Sequence, residues 1–151
     1  MRRIVIVSAL VFFALAAWNL PASAQTRNEN WNHCADGNPD ISIAGCTAVI
    51  QSVGQESNAG FAVAYYKRGD AYNQKSLYDK AVADESQSIT LNPIYANAYG
   101  ARGFAYEKLG QRDPAIADYR QALKLAADHP ARYAVVTQRA QAGLQRLGVS
   151  P

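Results

Sequence analysis

The sequence predicts an all-α fold: a solenoid of antiparallel helix pairs closed by a C-terminal capping helix. Three observations predict it. Residues 62–95 can be laid on residues 96–129 at a shift of 34. Small and apolar residues inside each unit recur at helical spacing. A last amphipathic run follows over residues 130–151. Self-similarity at a period of roughly 20–50 residues marks a stacked array, because one helix pair cannot bury both of its faces alone.

Residues 1–24 read as a secretory leader. Arg2 and Arg3 give a positive start, Ile4 to Trp18 is an apolar run, and Ala22-Ser23-Ala24 offers a cleavage site before Gln25. The run is shorter than the roughly 20 residues that span a bilayer. An uncleaved N-terminal anchor is the alternative. Cleavage after Ala24 leaves 127 of the 151 residues, with 13 basic and 12 acidic side chains and a net charge of +1. Such a chain has no electrostatic drive towards nucleic acid, and no broad basic patch for a membrane surface once the leader is gone.

Residues 25–61 read as a degenerate first repeat with a loop. Its first helix is expected to be short, around Glu29 to Cys34. Asn38-Pro39-Asp40 would start the second, which runs on through Ile50. The polar stretch Ser52 to Gly60 absorbs about five residues beyond the regular period and is expected to be a loop.

The first regular unit covers residues 62–95. Tyr65, Arg68, Gly69 and Tyr72 fall on one helical face, and Ala81, Ser88 and Leu91 mark a second helix. Asp79 is expected to cap that second helix, and Asn92-Pro93 ends it. The second unit, residues 96–129, repeats the arrangement with Tyr99, Arg102, Gly103 and Tyr106, then Ala115 and Tyr119. Gly110 separates its helices, and Asp113-Pro114 is expected to cap and open the next one. Pro130 is expected to open the capping helix, which runs through Leu147 with Tyr133, Val136, Ala140 and Leu144 inward. Gly148 ends it.

These residues resemble the tetratricopeptide repeat, whose signature is W-x2-L-G-x2-Y, then A-x3-F, then P over 34 residues. Here it reads Tyr65-x2-Arg68-Gly69-x2-Tyr72, Ala81 and Pro93, and then Tyr99-x2-Arg102-Gly103-x2-Tyr106 and Ala115-x3-Tyr119. Arg68 and Arg102 stand in place of the leucine, Glu85 in place of the aromatic, and Ala127 in place of the proline. The resemblance implies a right-handed solenoid whose first helices line a concave groove for a peptide or a partner's helix. It places Val63, Tyr66, Asp70, Asn73 and Gln74 along that groove in one unit. In the next it places Asn97, Gly100, Phe104, Glu107 and Lys108. The Lys/Asn pair that grips a terminal carboxylate in some family members is replaced by Tyr66 and Asp70. The groove is expected to be aromatic and mildly acidic, with Tyr66 and Phe104 as anchors and Asp70 and Glu107 as acceptors. Phe104 packing inside the array is the alternative.

Cys34 and Cys46 are the only cysteines, twelve residues apart. On the repeat register they face each other, and an exported chain matures where disulfides persist. A bridge between them would staple the weakest repeat by about 3 kcal/mol. Arg68 and Arg102 each precede an acid, Asp84 and Asp118, by sixteen residues. Two readings stand: ion pairs within each helix pair, or arginines that clamp a ligand's carboxylate. Partly buried charges are usually paired, which favours the first.

Nothing in the sequence carries a catalytic motif, a cofactor fingerprint or a metal spacing. His33 beside Cys34 lacks enough soft ligands for zinc, and Asp36-x-Asn38-x-Asp40 has Ile41 where a calcium loop needs Gly. The expectation is therefore a non-catalytic, periplasmic or secreted module that binds a protein or peptide, without metal or cofactor. A structural envelope protein that self-associates into homo-oligomers through its terminal repeats is the alternative.

Overall fold

The computed structural model describes residues 22–52, 54 and 56–150. Residues 1–21 of the expected leader lie outside them, as do Val53 and Gln55 of the expected loop. Among the described residues there are seven helices and no strand. These are α1 (Ala22–Cys34), α2 (Pro39–Gln51), α3 (Asn58–Gln74), α4 (Tyr78–Leu91), α5 (Ala96–Lys108), α6 (Arg112–Ala126) and α7 (Ala134–Arg146). Each of α1, α3 and α5 packs on the helix that follows it, and each pair stacks on the next. α3, α5 and α7 also touch one another in series, so the first helices of the pairs form one continuous row. That row carries the groove.

Five helix starts differ from the sequence reading. α1 reaches back to Ala22 rather than starting near Glu29. Arg27 and Trp31, four residues apart on one face, both donate to Glu56 of the α2–α3 loop, at 2.7 and 2.8 Å, which orders the helix well before Glu29. α3 begins at Asn58 rather than after Gly60, because the Ser57 hydroxyl accepts from the Gly60 amide at 3.1 Å and caps it. Asp79 and Asp113 are not caps. They sit in the first turns of α4 and α6, where their charge still favours the helix start. The preceding turns close through the backbone instead, Leu77 N to Tyr72 O at 2.9 Å and Gln111 N to Tyr106 O at 2.8 Å. α7 starts at Ala134, not Pro130. The His129 carbonyl accepts from both Arg132 and Tyr133 and holds residues 129–133 as a separate turn.

Two of the turns place the same strain on different residues. Gly110 follows α5 with φ of +73°, and Ser76 follows α3 with φ of +59°. Only the first has the residue that adopts this conformation freely.

The packing depends on small residues that face large ones. A Cβ on Gly103 would lie 2.9 Å from the Tyr119 ring, and one on Gly143 of α7 would lie 2.3 Å from it. Tyr119 is thus fully buried between α5 and α7. Gly45 lets α2 press against the end of α1, where a Cβ would come within 2.4 Å of the Cys34 amide. At that contact Cys34 and Cys46 are buried and bonded, with an S–S distance of 2.03 Å.

Arginines tie the pairs together. Arg68 donates to both oxygens of Asp84 at 2.7 and 2.8 Å, and its third nitrogen reaches Thr47 of α2 at 3.0 Å. Arg102 does the same with Asp118 at 2.7 and 2.9 Å, and reaches back to Ser86 of α4 at 3.0 Å. Each guanidinium therefore joins its own helix, its partner helix and the pair before. Asp84 and Asp118 are buried, so neither pair is a loosely solvated surface bridge.

Glu85 occupies the position where Tyr119 stands in the next unit. It is 0% exposed, and neither carboxyl oxygen has a hydrogen-bond partner among the described residues. The Gly69 position makes room for it: a Cβ there would lie 2.6 Å from Oε1. Burial pushes the Glu85 carboxyl well above the ordinary carboxylate range, with Asp70 and Asp84 adding to the effect.

Two predictions follow from these buried charges. Asp118→Asn should cost about 3 kcal/mol, because it leaves Arg102 without its bidentate partner. A double-mutant cycle of Arg102→Met with Asp118→Asn, read by urea unfolding, should give a coupling of about 2 kcal/mol. Burial lets Glu85 keep its proton to higher pH in the folded chain than in the unfolded chain. Its stabilising effect is full at acid pH and is lost as pH rises towards its raised pKa, by about 1.4 kcal/mol per unit. Wild type should lose stability relative to Glu85→Gln as pH rises above the ordinary carboxyl range. Parallel pH profiles for the two proteins would contradict this.

Candidate functional site

The groove is built on α3, α5 and α7, and the sequence reading supplied only the first two. Its larger hollow, about 630 Å³, is lined by Asp70, Asn73, Gln74, Ser76 and Tyr78 from the first unit and by Phe104 from the second. Arg139, Ala142 and Arg146 of α7 close it. A second hollow of about 260 Å³ lies beside it, lined by Tyr66, Asn97, Arg132, Tyr133, Val135, Val136 and Arg139. Arg139 belongs to both, so the two hollows are neighbours along one trough.

Physical reasons place α7 there. Gly100 of α5 leaves space for Val136, whose Cγ2 would lie 2.4 Å from an added Cβ. Gly143 seats Tyr119 in the same way. Val136, Ala140 and Leu144 join Tyr119 and Ile116 in one buried cluster. With that face inward, the arginines of α7 are turned towards the trough.

The expected groove residues divide by what they touch. Tyr66 is half-buried, its ring edge-on to Tyr95 at 5.2 Å between centroids, and burial pushes its hydroxyl pKa up. Phe104 lines the large hollow and also packs on the core cluster. Its ring meets Tyr78 edge-on at 6.3 Å, and the Lys108 ammonium lies 5.2 Å from its centroid. Gln74 is exposed on the rim. Asn97 lines the smaller hollow. Asn73 is buried, and its amide nitrogen donates to the Ala101 carbonyl at 3.2 Å, which ties α3 to α5.

The two acids are not the free acceptors that the sequence reading gave them as. Asp70 takes a contact from Arg139 at 3.3 Å and another from Gln74 at 3.3 Å. Glu107 accepts from Arg146 at 2.7 and 2.9 Å and from the Tyr119 hydroxyl at 2.6 Å. Burial pushes the Glu107 carboxyl up. The hydrogen bonds from Arg146 and Tyr119 outweigh it and hold the group below the usual carboxylate range. The groove is therefore aromatic with a basic edge rather than mildly acidic.

Arg132, Arg139 and Arg146 were missed as site residues. Part of their signal was present: Arg139 and Arg146 lie seven residues apart on α7, two helical turns that keep side chains on one face, while Arg132 stands in the turn before that helix. What hid it was the reading of their helix as a cap with a solvated polar side. Among the described residues no three His, Cys, Asp or Glu side chains converge as a metal site would need. No helix there is long and apolar enough to cross a membrane.

The geometry yields one test of α7's seat. Gly143→Ala should cost about 2 kcal/mol, because Tyr119 has no room to give. It should also move Arg139 and Arg146 out of the trough. Hydrogen exchange over residues 134–146 should speed up more than over α3 and α4.

Comparison with known proteins follows the same boundaries. Residues 62–95 and residues 96–129 each match a family model described as "Tetratricopeptide repeat". Among solved structures, the Arabidopsis OM64 TPR domain is 22% identical, with a TM-score of 0.65, over 83% of this chain and 93% of that one. The first TPR of Spaghetti (RPAP3), bound to the HSP90 peptide SRMEEVD, is 21% identical, with a TM-score of 0.65, over 83% and 90%. The first TPR domain of the human RPAP3 protein is 20% identical, with a TM-score of 0.57, over 82% and 95%. At these identities the likeness concerns the fold. No curated protein matches the chain.

Proposed function

Because the chain is a tetratricopeptide-repeat protein, we propose that it is a non-catalytic interaction module, exported to the cell envelope, that holds a peptide or helix of a protein partner in its groove. The carrying observation is the trough itself. Aromatic rings of Tyr66 on α3 and Phe104 on α5, with Tyr78 at the start of α4, stand beside hydrogen-bonding groups along the trough. Half-buried aromatics next to arginines are the usual anchors of protein interfaces. The related fold that carries the peptide SRMEEVD is an instance of the same use.

Export rests on the composition of residues 1–24 and on the cysteines. A buried bridge between Cys34 and Cys46 fits an oxidising compartment. Cleavage after Ala24 would trim three residues from α1 and leave Arg27 and Trp31 in place to hold Glu56.

The test uses the chain as its host produces it, tagged at the C-terminus and recovered from the envelope. Mass spectrometry should find a chain that begins at Gln25. A bound protein should be lost in Gln74→Trp, which fills the large hollow from an exposed position. Equal capture by both would move the binding surface away from the groove. Recovery of the chain alone, with a mass that grows with concentration, would favour self-association.

A further inference from the structure

The charges along the trough say what kind of segment it takes. Glu107 is engaged at both oxygens by Arg146 and Tyr119, and its side chain is only 11% exposed. Three donors already reach it, which leaves little to offer a partner. Asp70 is held by Arg139 through one nitrogen at 3.3 Å, which leaves most of that guanidinium's donors unused. Arg139 spans from α7 to α3 across α5 and stands between the two hollows. Arg132 lies at the outer end of the smaller hollow, and no described carboxylate lies within 4.0 Å of it. Lys108 adds a further cation, over Phe104. At the far end Lys67 and Asp36 share a small hollow with Tyr66 and Asp70 and offset each other.

We propose that the groove receives an acidic segment of a protein, with carboxylates that meet Arg132 and Arg139 and apolar residues that lie against Tyr66 and Phe104. The proposal rests on the groove being the binding surface. Arg139 is the central reader. Asp70 holds its guanidinium across the trough, and a carboxylate entering from either hollow can take its remaining donors in the bidentate way arginine favours. The recognition comes from α7 and the turn that precedes it and needs no terminal carboxylate. A folded nucleic acid or a lipid surface suits the site less well. Its arginines line a trough with aromatic residues beside them, and the chain after the expected leader carries a net charge of only +1.

The test is fluorescence anisotropy on the full chain with two labelled ten-residue peptides, blocked at both ends. One alternates Glu with Leu, and the other alternates Lys with Leu. The Glu peptide should bind at least tenfold more tightly, and its affinity should fall as salt rises. Arg132→Gln and Arg139→Gln should each weaken it severalfold. Asp70→Asn should strengthen it, because Arg139 is released to the ligand. Thermal melting of each variant separates lost binding from lost folding. Equal or tighter binding of the Lys peptide would overturn the proposal and leave the groove as the binding surface. Failure of both peptides, together with a neutral Ser/Leu peptide, would overturn the groove reading as well. Displacement of the Glu peptide by phosphatidylglycerol vesicles or by a dT20 oligonucleotide at lower concentration than unlabelled peptide would assign the site to another class of partner.

Discussion

Glycines let several neighbouring helices in this chain approach closely, and much of the architecture follows from those contacts. Gly45 admits the end of α1, Gly69 admits Glu85, and Gly103 admits Tyr119. Tyr119 is then held from the other side by Gly143, so one ring fixes both the second pair and α7. Close approach brings dense contact and exclusion of water, which is the main source of stability in a stacked array. It also has a structural consequence for function. The helix after the repeats is pressed into the row of first helices, and its polar face becomes a wall of the groove.

Charge is handled differently in the two regular units, although their sequences align. Both use an arginine and an aspartate to join three helices, with Thr47 and Ser86 as equivalent third contacts. They diverge at the central position. In the second unit the Tyr119 hydroxyl donates to Glu107, and every polar atom of the pair is satisfied. In the first unit the corresponding residues are Glu85 and Asn73, and both retain unpartnered buried oxygens. A buried carboxyl without a partner is tolerated when it is neutral, because the neutral form avoids the cost of a desolvated charge. That buried carboxyl lies in the same unit as Asp70, the acid that positions Arg139.

Much of this was legible along the chain. The 34-residue period, the glycines and the punctuation at Asn38-Pro39, Asn92-Pro93 and Gly110 are local signals. They predict helix number, order and pairing without reference to the rest of the molecule. Among the helices the errors lie at their starts, at α1 because a non-local contact decides and elsewhere because a local turn or cap does. Arg27 and Trp31 extend α1 because Glu56 comes to meet them, and no propensity within residues 22–28 announces it. Asp79 and Asp113 look like caps in sequence, but backbone turns had already closed the helix ends before them.

The sequence by itself determined the repeat, the helix pairs and which side chains fall on the inner row, because a fixed period and a helical face are properties of the chain. Only the tertiary structure decided the character of the groove. Asp70 and Glu107 are acids in any reading of the sequence, yet Arg139 lies 69 residues from the first and Arg146 lies 39 from the second. Their charges meet because Gly100 and Gly143 let α7 settle against α5, and the balance of charge in a trough depends on which faces are brought together, not on the order of residues along the chain.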